Sequence, residues 1–182
     1  VSTRCASEGA AVVIAELDAG LGAETARLIT DGGGRAIFAH TDVTDEASVA
    51  ACVATAEAAF GPVSGLVNVA GIYPRATLDN TTVALWDRIM DVNLKGPFLM
   101  CRAAVASMRK GGGGSIVNVT STNAYSGWPN LFAYSTAKGG LLTMTRNLAR
   151  GLAADRIRAN ALNPGWVISD NEIRIQAGDG HD

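Results

Sequence analysis

The sequence is poor in the features that mark several large classes of protein. Its 182 residues include three cysteines, and fifteen lysines and arginines are spread without any basic block among seventeen aspartates and glutamates. The cysteines, Cys5, Cys52 and Cys101, are odd in number and widely spaced among alanines, which argues against a disulfide framework or a metal site. The formal charge of -2 without a basic patch predicts no nucleic-acid partner.

Long apolar runs are also missing. No stretch approaches the roughly 18 to 20 apolar residues that a membrane-spanning helix needs. The opening residues, "VSTRCASEGA", have neither the basic region nor the apolar region of a signal peptide. We therefore expect a cytoplasmic protein with no membrane partner. What is abundant is apolar residues in short runs, 48% of the chain with a mean hydropathy of +0.18, which indicates a globular fold with a substantial core.

Short apolar runs alternate with longer helical patterns along the whole chain. Strands are predicted at 10–17, 35–43, 63–71, 114–121 and 157–167. One helix is predicted to begin at Asp18 and another to have Thr44 as its N-cap, and long helices are predicted over 81–110 and 132–154. This alternation is typical of right-handed βαβ units, so we predict an α/β fold in which helices cover both faces of a doubly wound parallel sheet.

Polar residues collect where the predicted strands end, which is where ligands bind in such sheets. Glu16 ends the first predicted strand, and an acidic residue at such a position accepts a hydrogen bond from the ribose 2′-hydroxyl of NAD. Taken by itself, an acidic residue such as Glu16 is more often a solvated carboxylate at a strand end. The glycine-rich phosphate loop would lie about 20 residues earlier, ahead of Val1. The glycines at 111–114 follow a helix and precede a strand, the reverse of a phosphate-binding order, so we interpret them as a helix stop.

Several separated stretches agree with one known family. In chain order they are "AELD", "TDV", "NVAG", "DVNLKGPF", "GSIVNVTS", "YSTAKGG" and "NPGWV", and together they resemble the short-chain dehydrogenase/reductase family over almost the whole chain. A Tyr-x-x-x-Lys pair alone is more often an ordinary helix surface, whereas the ordered set is specific. The resemblance implies a single Rossmann-type NAD(P)-binding domain over 1–182. It also implies an NAD-dependent oxidoreductase that transfers a hydride between a secondary alcohol and nicotinamide.

The resemblance implies four catalytic residues, Asn93, Ser121, Tyr134 and Lys138. Tyr134 would be the general acid/base, and Lys138, four positions later, would lie on the same helix face, about 5 to 6 Å away at Cβ. Its ammonium would favour the phenolate and bind the nicotinamide ribose. Ser121 would donate to the substrate oxygen without forming a covalent bond to it. Asn93 would hold a water that continues a proton relay towards Lys138.

The resemblance also implies cofactor contacts at the strand ends. Asp42 would accept from the adenine amino group with Val43 packed beside it, and Glu16 would favour NAD over NADP by repelling the 2′-phosphate. Val69 stands where a second Asn is common in the family. The implied cofactor-binding residues are Glu16, Asp42, Val43, Asn68, Ala70, Gly71, Tyr134, Lys138, Pro164, Gly165, Val167 and Ser169.

The substrate is less determined by the resemblance. The stretch "NPGWVISDNEIRIQ" resembles a loop of bacterial sugar dehydrogenases, especially those that oxidise L-rhamnose-like aldoses. Asn123, Tyr125, Trp128 and Trp166 would then line a pocket for a sugar or polyol. A ketoreductase like 3-oxoacyl-carrier-protein reductase is an alternative. A non-catalytic dinucleotide-binding protein or an inactive fragment is an alternative of another class.

Two further expectations concern assembly and completeness. In the family the helices that correspond to 81–110 and 132–154 form the subunit interface, which implies a homo-oligomer, a dimer or a tetramer. The family also has a central strand with the glycine loop beside the strand that carries Glu16, and a helix and strand after Ser169. This sequence has no match to either, so we expect a fragment of a longer enzyme. Unpaired strand edges would then cost on the order of 1 to 3 kcal/mol for each buried unsatisfied group.

Overall fold

The computed structural model describes residues 1–167, and its strands agree with the sequence prediction to within a few residues. The strands are β1 (Ala11–Glu16), β2 (Arg35–His40), β3 (Gly65–Asn68), β4 (Gly114–Val119) and β5 (Ile157–Leu162). The helices are α1 (Ser2–Ser7), α2 (Ala19–Asp31), α3 (Glu46–Phe60), α4 (Val83–Met90), α5 (Gly96–Lys110), α6 (Asn123–Ser126) and α7 (Phe132–Gly151). A π-helix joins α4 to α5 at Asp91–Lys95, and a 3₁₀-helix follows α7 at Ala153–Asp155. This confirms the predicted α/β class with parallel strands and covering helices.

The strands form two parallel sheets. One pairs β1 with β2, and the other has the order β3-β4-β5. Within residues 1–167, β1 has no hydrogen-bonded strand on the side away from β2, and β3 has none on the side away from β4. The two sheets are connected by packing instead, since α3 contacts both β1 and β2 and also packs against α5. The carboxyl ends of the strands in each sheet point the same way because all pairs are parallel.

Helix boundaries show where local sequence rules are sufficient and where they fail. Asp18 caps α2 as predicted, and its carboxylate accepts from Leu21 N at 2.9 Å. The prediction that Thr44 caps α3 is wrong, because Asp45 accepts from Ser48 N at 2.7 Å and is the N-cap. Thr44 donates its own N–H and hydroxyl to Asp42, so its side chain is committed elsewhere.

The predicted helix over 81–110 is interrupted by the π-helix. Pro97 has no N–H, so it cannot make the regular bond to the carbonyl four residues earlier, which belongs to Asn93. A local change to π geometry accommodates this loss, and such bulges are frequent at functional sites. The position of Pro97 after Asn93 was a sequence signal for this break.

The main hydrophobic core lies between α3, α5 and the β3–β5 sheet. Met108 and Ile116 are completely buried there, and Ile157 is nearly so. A second cluster joins α1 and α2 to β1 around Ile14 and Ile29. A third cluster joins α4 to α7, and Tyr134 packs against it. None of the helices within residues 1–167 is both long enough and apolar enough to cross a membrane.

Candidate active site

Ser121 and Tyr134 come together where β4 ends and α7 begins. Ser121 is buried just beyond β4, and its Oγ accepts from Asn123 N at 3.1 Å. The Ser121 side chain is close enough to the Tyr134 phenol to lower its pKa by hydrogen bonding. These two hydroxyl groups, predicted as catalytic partners from separate motifs, therefore lie close together.

Lys138 lies one helical turn after Tyr134 and is only 4% exposed. Its Nζ donates to Val119 O at 2.8 Å and lies 5.6 Å from the centre of the Tyr134 ring. An ammonium has three donors, so the bond to Val119 leaves capacity for a bound ligand. Burial lowers the pKa of Lys138 to about 8, because the charged form loses its hydration.

The pKa of Tyr134 is shifted in the direction opposite to the one expected from the lysine alone. Burial is the largest cause and raises this pKa, the hydrogen bond with Ser121 lowers it in part, and Tyr73 raises it further. The physical reason is that a phenolate in this half-buried position loses more hydration than its neighbours in the protein restore. Lys138 lies near Tyr134 as the sequence predicted. The lowering of the Tyr134 pKa that was expected from its ammonium is outweighed by the effect of burial.

Asn93 lies in the π-helix, where it clamps the loop that follows β3. Its Nδ2 donates to Ile72 O at 2.8 Å and to Ile89 O at 3.0 Å, and its Oδ1 accepts from Ile72 N at 3.2 Å. The residue is completely buried. Both amide hydrogens are used by these bonds, so only Oδ1 has side-chain capacity left for the predicted water. The water relay stays a prediction, whereas the clamp is present in the structure.

Gly71 fits between Asn93 and Lys138. A Cβ built on Gly71 would lie 2.7 Å from Asn93 Oδ1 and 3.6 Å from Lys138 Nζ. The first distance is shorter than any ordinary contact, so a side chain would have to displace the buried amide. The residue must therefore be small for steric reasons, which agrees with its prediction as a close-approach position at the strand end.

Tyr73 is a site residue that the sequence reasoning missed. Its ring packs edge-on against the Tyr134 ring, with centroids 6.1 Å apart and an interplanar angle of 66°. No motif of the sequence contains it. The available signal was its place two residues after Gly71, on the loop that leaves the predicted cofactor edge.

The two predicted acidic residues are held at their strand ends. Glu16 Oε1 accepts from Leu17 N at 2.8 Å and from Asp18 N at 3.1 Å. Asp42 Oδ1 accepts from Thr44 N at 2.8 Å and from Thr44 Oγ1 at 2.7 Å, and these bonds lower the pKa of Asp42. Each carboxylate is thus positioned through one of its oxygens before any ligand is present.

The start of α5 connects the carboxyl end of β2 in one sheet with the carboxyl end of β3 in the other. A Cβ on Gly96 would lie 2.9 Å from Val43 Cγ2, so Val43 packs directly on the first turn of α5, next to the π-helix that carries Asn93. Val43 also packs against the main core. The ends of β2 and β3 therefore lie on the same edge of the domain, which places Asp42 and Gly71 on one side of it.

The Asn68 side chain lies inside the domain, and the predicted role of Asn68 in the cofactor turn stays a prediction. Asn68 is buried, and its Nδ2 donates to Asn118 Oδ1 at 2.8 Å and to Cys101 Sγ at 3.4 Å. Asn118 in turn donates to Thr145 Oγ1 at 2.9 Å. Strand alternation turns Asn68 towards the helices, so its side chain ties β3 to β4 and α7. The neighbouring Ala70 is exposed at the strand end.

The turn after β5 lies beside Ser121. Pro164 O accepts from Thr122 N at 3.1 Å, and nothing lies within 4 Å of a Cβ built on Gly165. Val167 is exposed, and Ser169 lies outside the described residues. The predicted cofactor turn is therefore adjacent to the serine, as its motif required.

Of the predicted substrate-pocket residues, only some lie near Ser121. Asn123 is close to Ser121 through its backbone, whereas Tyr125 is 63% and Trp128 is 51% exposed on and after α6. Trp166 is also largely exposed. Within the described residues, no group of three His, Cys, Asp or Glu side chains could hold a metal ion.

The burial of Lys138 makes a prediction about stability. Its pKa falls from 10.5 to about 8 on folding, so between these pH values the unfolded chain binds more protons than the folded protein. The free energy of unfolding of the wild type should therefore rise across this window relative to Lys138→Met, by up to about 3 kcal/mol. Urea unfolding of both proteins at several pH values measures this difference.

The control is Lys110→Met, at an exposed lysine paired with Glu57, and it should show no such trend. Equal trends would contradict the assignment to Lys138.

The fold and the site together define a Rossmann-type α/β domain with a Ser-Tyr-Lys group at the carboxyl edge of its strands. A family model described as enoyl-(acyl carrier protein) reductase matches residues 1–179. A solved structure of a short-chain dehydrogenase/reductase from Burkholderia xenovorans matches with a TM-score of 0.93 and 33% identity, covering 98% of this chain and 69% of that one. The chain belongs to the short-chain dehydrogenase/reductase family.

Two curated relatives show the level of similarity. 2-(S)-hydroxypropyl-CoM dehydrogenase 3 of Xanthobacter autotrophicus is 38% identical over 169 residues, which cover 93% of this chain and 66% of that protein. Cis-4-hydroxycyclohexanecarboxylate dehydrogenase of Sinomonas cyclohexanicum is 43% identical over 163 residues, which cover 89% of this chain and 65% of that protein. The chain thus spans about two thirds of the length of these relatives.

Proposed function

We propose that the protein is an NAD-dependent oxidoreductase that transfers a hydride between a secondary alcohol and nicotinamide. The observation that carries this proposal is the placement of Tyr134, whose pKa the Ser121 side chain lowers by hydrogen bonding and whose ring centre lies 5.6 Å from the Lys138 ammonium. The site thus combines a phenol, a neutral hydrogen-bond donor and a buried cation. Such a combination can transfer one proton to or from a substrate oxygen.

In alcohol oxidation, the Tyr134 phenolate removes the hydroxyl proton while hydride leaves the adjacent carbon. The Ser121 hydroxyl donates to the substrate oxygen and stabilises its partial charge. Lys138 stabilises the phenolate electrostatically. NAD, when bound, supplies the hydride acceptor. In the reverse direction Tyr134 donates the proton to the ketone oxygen, so the same residues serve both directions.

The residues present fit a nicotinamide dinucleotide. The backbone at Ala70 and Gly71 is open to a close approach, because Gly71 has no side chain and Ala70 is small and exposed. Glu16 and Asp42 provide acceptors for ribose hydroxyls and an adenine amino group, and Lys138 has donors left for the nicotinamide ribose. Pro164, Gly165 and Val167 would form the turn under the nicotinamide.

The preference for NAD rests on Glu16 and can be tested directly. Glu16→Ala should weaken NAD binding by about ten- to a hundredfold, since hydrogen bonds to a charged group contribute on the order of 1.5 to 3 kcal/mol. It should strengthen NADP binding, because the repulsion of the 2′-phosphate is removed. Calorimetric titration with both cofactors measures this. Glu8→Ala, at an exposed glutamate paired with Arg4, is the matched control. A parallel change for NAD and NADP would refute the role of Glu16.

The substrate class is proposed to be a secondary alcohol on a ring. This is supported by the name of the Sinomonas relative, which acts on a hydroxycyclohexane ring. A sugar in its ring form is one such substrate, and an open-chain polyol is the acyclic counterpart. A panel of cyclic alcohols, aldoses and polyols with NAD and NADP, and of 3-oxoacyl thioesters with NADH and NADPH, followed by nicotinamide absorbance, tests the proposal. Turnover of the cyclic alcohols or aldoses supports it, and turnover of acyl thioesters alone would favour the ketoreductase alternative.

We also propose that the protein assembles with itself through the outer faces of α5 and α7. Phe98 on α5 is 46% exposed and carries the Arg102 guanidinium 5.4 Å from its ring centre. An exposed aromatic side chain with a stacked arginine is a typical component of a protein interface. This supports the expected dimer or tetramer.

A further inference from the structure

Three consecutive residues after β3 each contact a different part of the candidate catalytic group. Gly71 fits against Asn93 and Lys138, and Ile72 exchanges two backbone hydrogen bonds with the Asn93 side chain. Tyr73 then places the edge of its ring against Tyr134. Asn93 is completely buried, and its side chain is bonded to both the N–H and the carbonyl of Ile72. The backbone that carries Tyr73 therefore has little freedom to move.

We propose that Tyr73 is a positioning residue for Tyr134, which holds the phenol ring of the general acid/base in its working orientation by edge-to-face packing. The inference rests on the proposed function for its kinetic consequence, but not for the contact itself. Phenol rings rotate about two side-chain torsions, and the transfer of a proton needs the hydroxyl within hydrogen-bond reach of both Ser121 and the substrate. Packing from Tyr73 on one side and the Lys138 side chain on another restricts that rotation.

The remaining surroundings of Tyr134 are apolar. The cluster against which it packs includes Ile89 and Trp86 of α4 and Ala137 of α7. The titratable groups that face it within the described residues are Tyr73 from the loop and Lys138 from its own helix, and the hydroxyl of Ser121 comes from the end of β4. Tyr73 is therefore the one phenol whose removal should alter both the packing and the acidity of Tyr134.

A spectroscopic experiment tests the contact without any turnover. The chain has three tyrosines, Tyr73, Tyr125 and Tyr134, so isotope labelling at tyrosine Cζ yields three NMR signals that single Tyr→Phe variants assign. Because Tyr73 raises the pKa of Tyr134, the Tyr134 signal should titrate at lower pH in Tyr73→Phe than in the wild type. Tyr125→Phe, at an exposed tyrosine, should leave the Tyr134 titration unchanged. In Tyr73→Ala, which removes the ring, the Tyr134 signal should also shift because the ring current of Tyr73 is lost, and an unchanged Tyr134 signal in that variant would overturn the inference.

A kinetic experiment tests the positioning role, with NAD and cis-4-hydroxycyclohexanecarboxylate as the probe substrate. Tyr73→Ala should lower kcat by about three- to tenfold, the size expected for the loss of an aromatic pair, with the KM for NAD unchanged. Tyr73→Phe keeps the ring and should retain kcat within about twofold. Equal kcat values for Tyr73→Ala and the wild type would overturn the inference.

If Tyr73→Ala does not fold, Tyr73→Leu replaces it in both experiments. If the wild type turns over no substrate of the panel, the proposed function fails, while the NMR result still decides the contact.

Discussion

Tyr134→Phe should lower turnover by about 10²- to 10⁴-fold, the usual contribution of a general acid/base, while NAD binding is retained. The substitution removes only the hydroxyl, whose pKa the Ser121 side chain helps to lower. The ring stays, so its packing against Tyr73 and its place beside Lys138 are preserved. Steady-state kinetics and calorimetric NAD titration of the two proteins measure the two halves of this prediction.

The control for this prediction is Thr55→Val, which removes an exposed hydroxyl from α3. The Thr55 hydroxyl donates to Ala51 O within its own helix, so its removal should leave turnover within about twofold. Full activity of Tyr134→Phe would show that the proton is moved by another group. Loss of activity together with loss of NAD binding would show damage to the site rather than to the chemistry.

Gly71→Ala should damage both stability and turnover. The new Cβ would lie 2.7 Å from Asn93 Oδ1, and the Asn93 amide cannot move away without giving up its bonds to Ile72 and Ile89. Forcing an extra carbon into such a packed position typically costs about 1 to 3 kcal/mol. The displaced loop would also carry Tyr73 away from Tyr134, so kcat should fall as well. Urea unfolding and steady-state kinetics measure the two effects.

The control for this prediction is Gly151→Ala, at the end of α7. Nothing lies within 4 Å of a Cβ built there, so the substitution should leave turnover unchanged and either preserve or slightly increase stability. If Gly71→Ala were as stable and as active as Gly151→Ala, the clamp formed by Asn93 would not matter for the site.

The elements that could be predicted from sequence are those whose signals are local. The five strands were found because buried parallel strands are short continuous apolar runs between turn residues. Asp18 was found as a helix cap because a cap needs only its own side chain and the N–H groups of the next turn. Tyr134 and Lys138 were placed together because four positions on a helix share a face.

The prediction that failed, and a contact that was not predicted, both depended on which hydrogen-bond partner a polar side chain takes in the folded chain. Thr44 is not the cap of α3, since its side chain is already bonded to Asp42. The amide of Asn68 pairs with Asn118, fifty positions later in the chain. In both cases the residue type was interpreted correctly as a hydrogen-bonding group, but the competing partner could be identified only in the folded structure.

The sequence by itself determined the order of strands and helices, the family, and the presence of a serine, a tyrosine and a lysine at the edge where ligands bind. Only the tertiary structure decided that Asn93 clamps Ile72, that Tyr73 packs on Tyr134, and that the sheet is divided between β1 and β3. It also decided the direction of the pKa shifts of Tyr134 and Lys138, because hydration is lost according to what packs around a side chain in space. Local patterns encode which groups are present, and long-range packing determines what surrounds them.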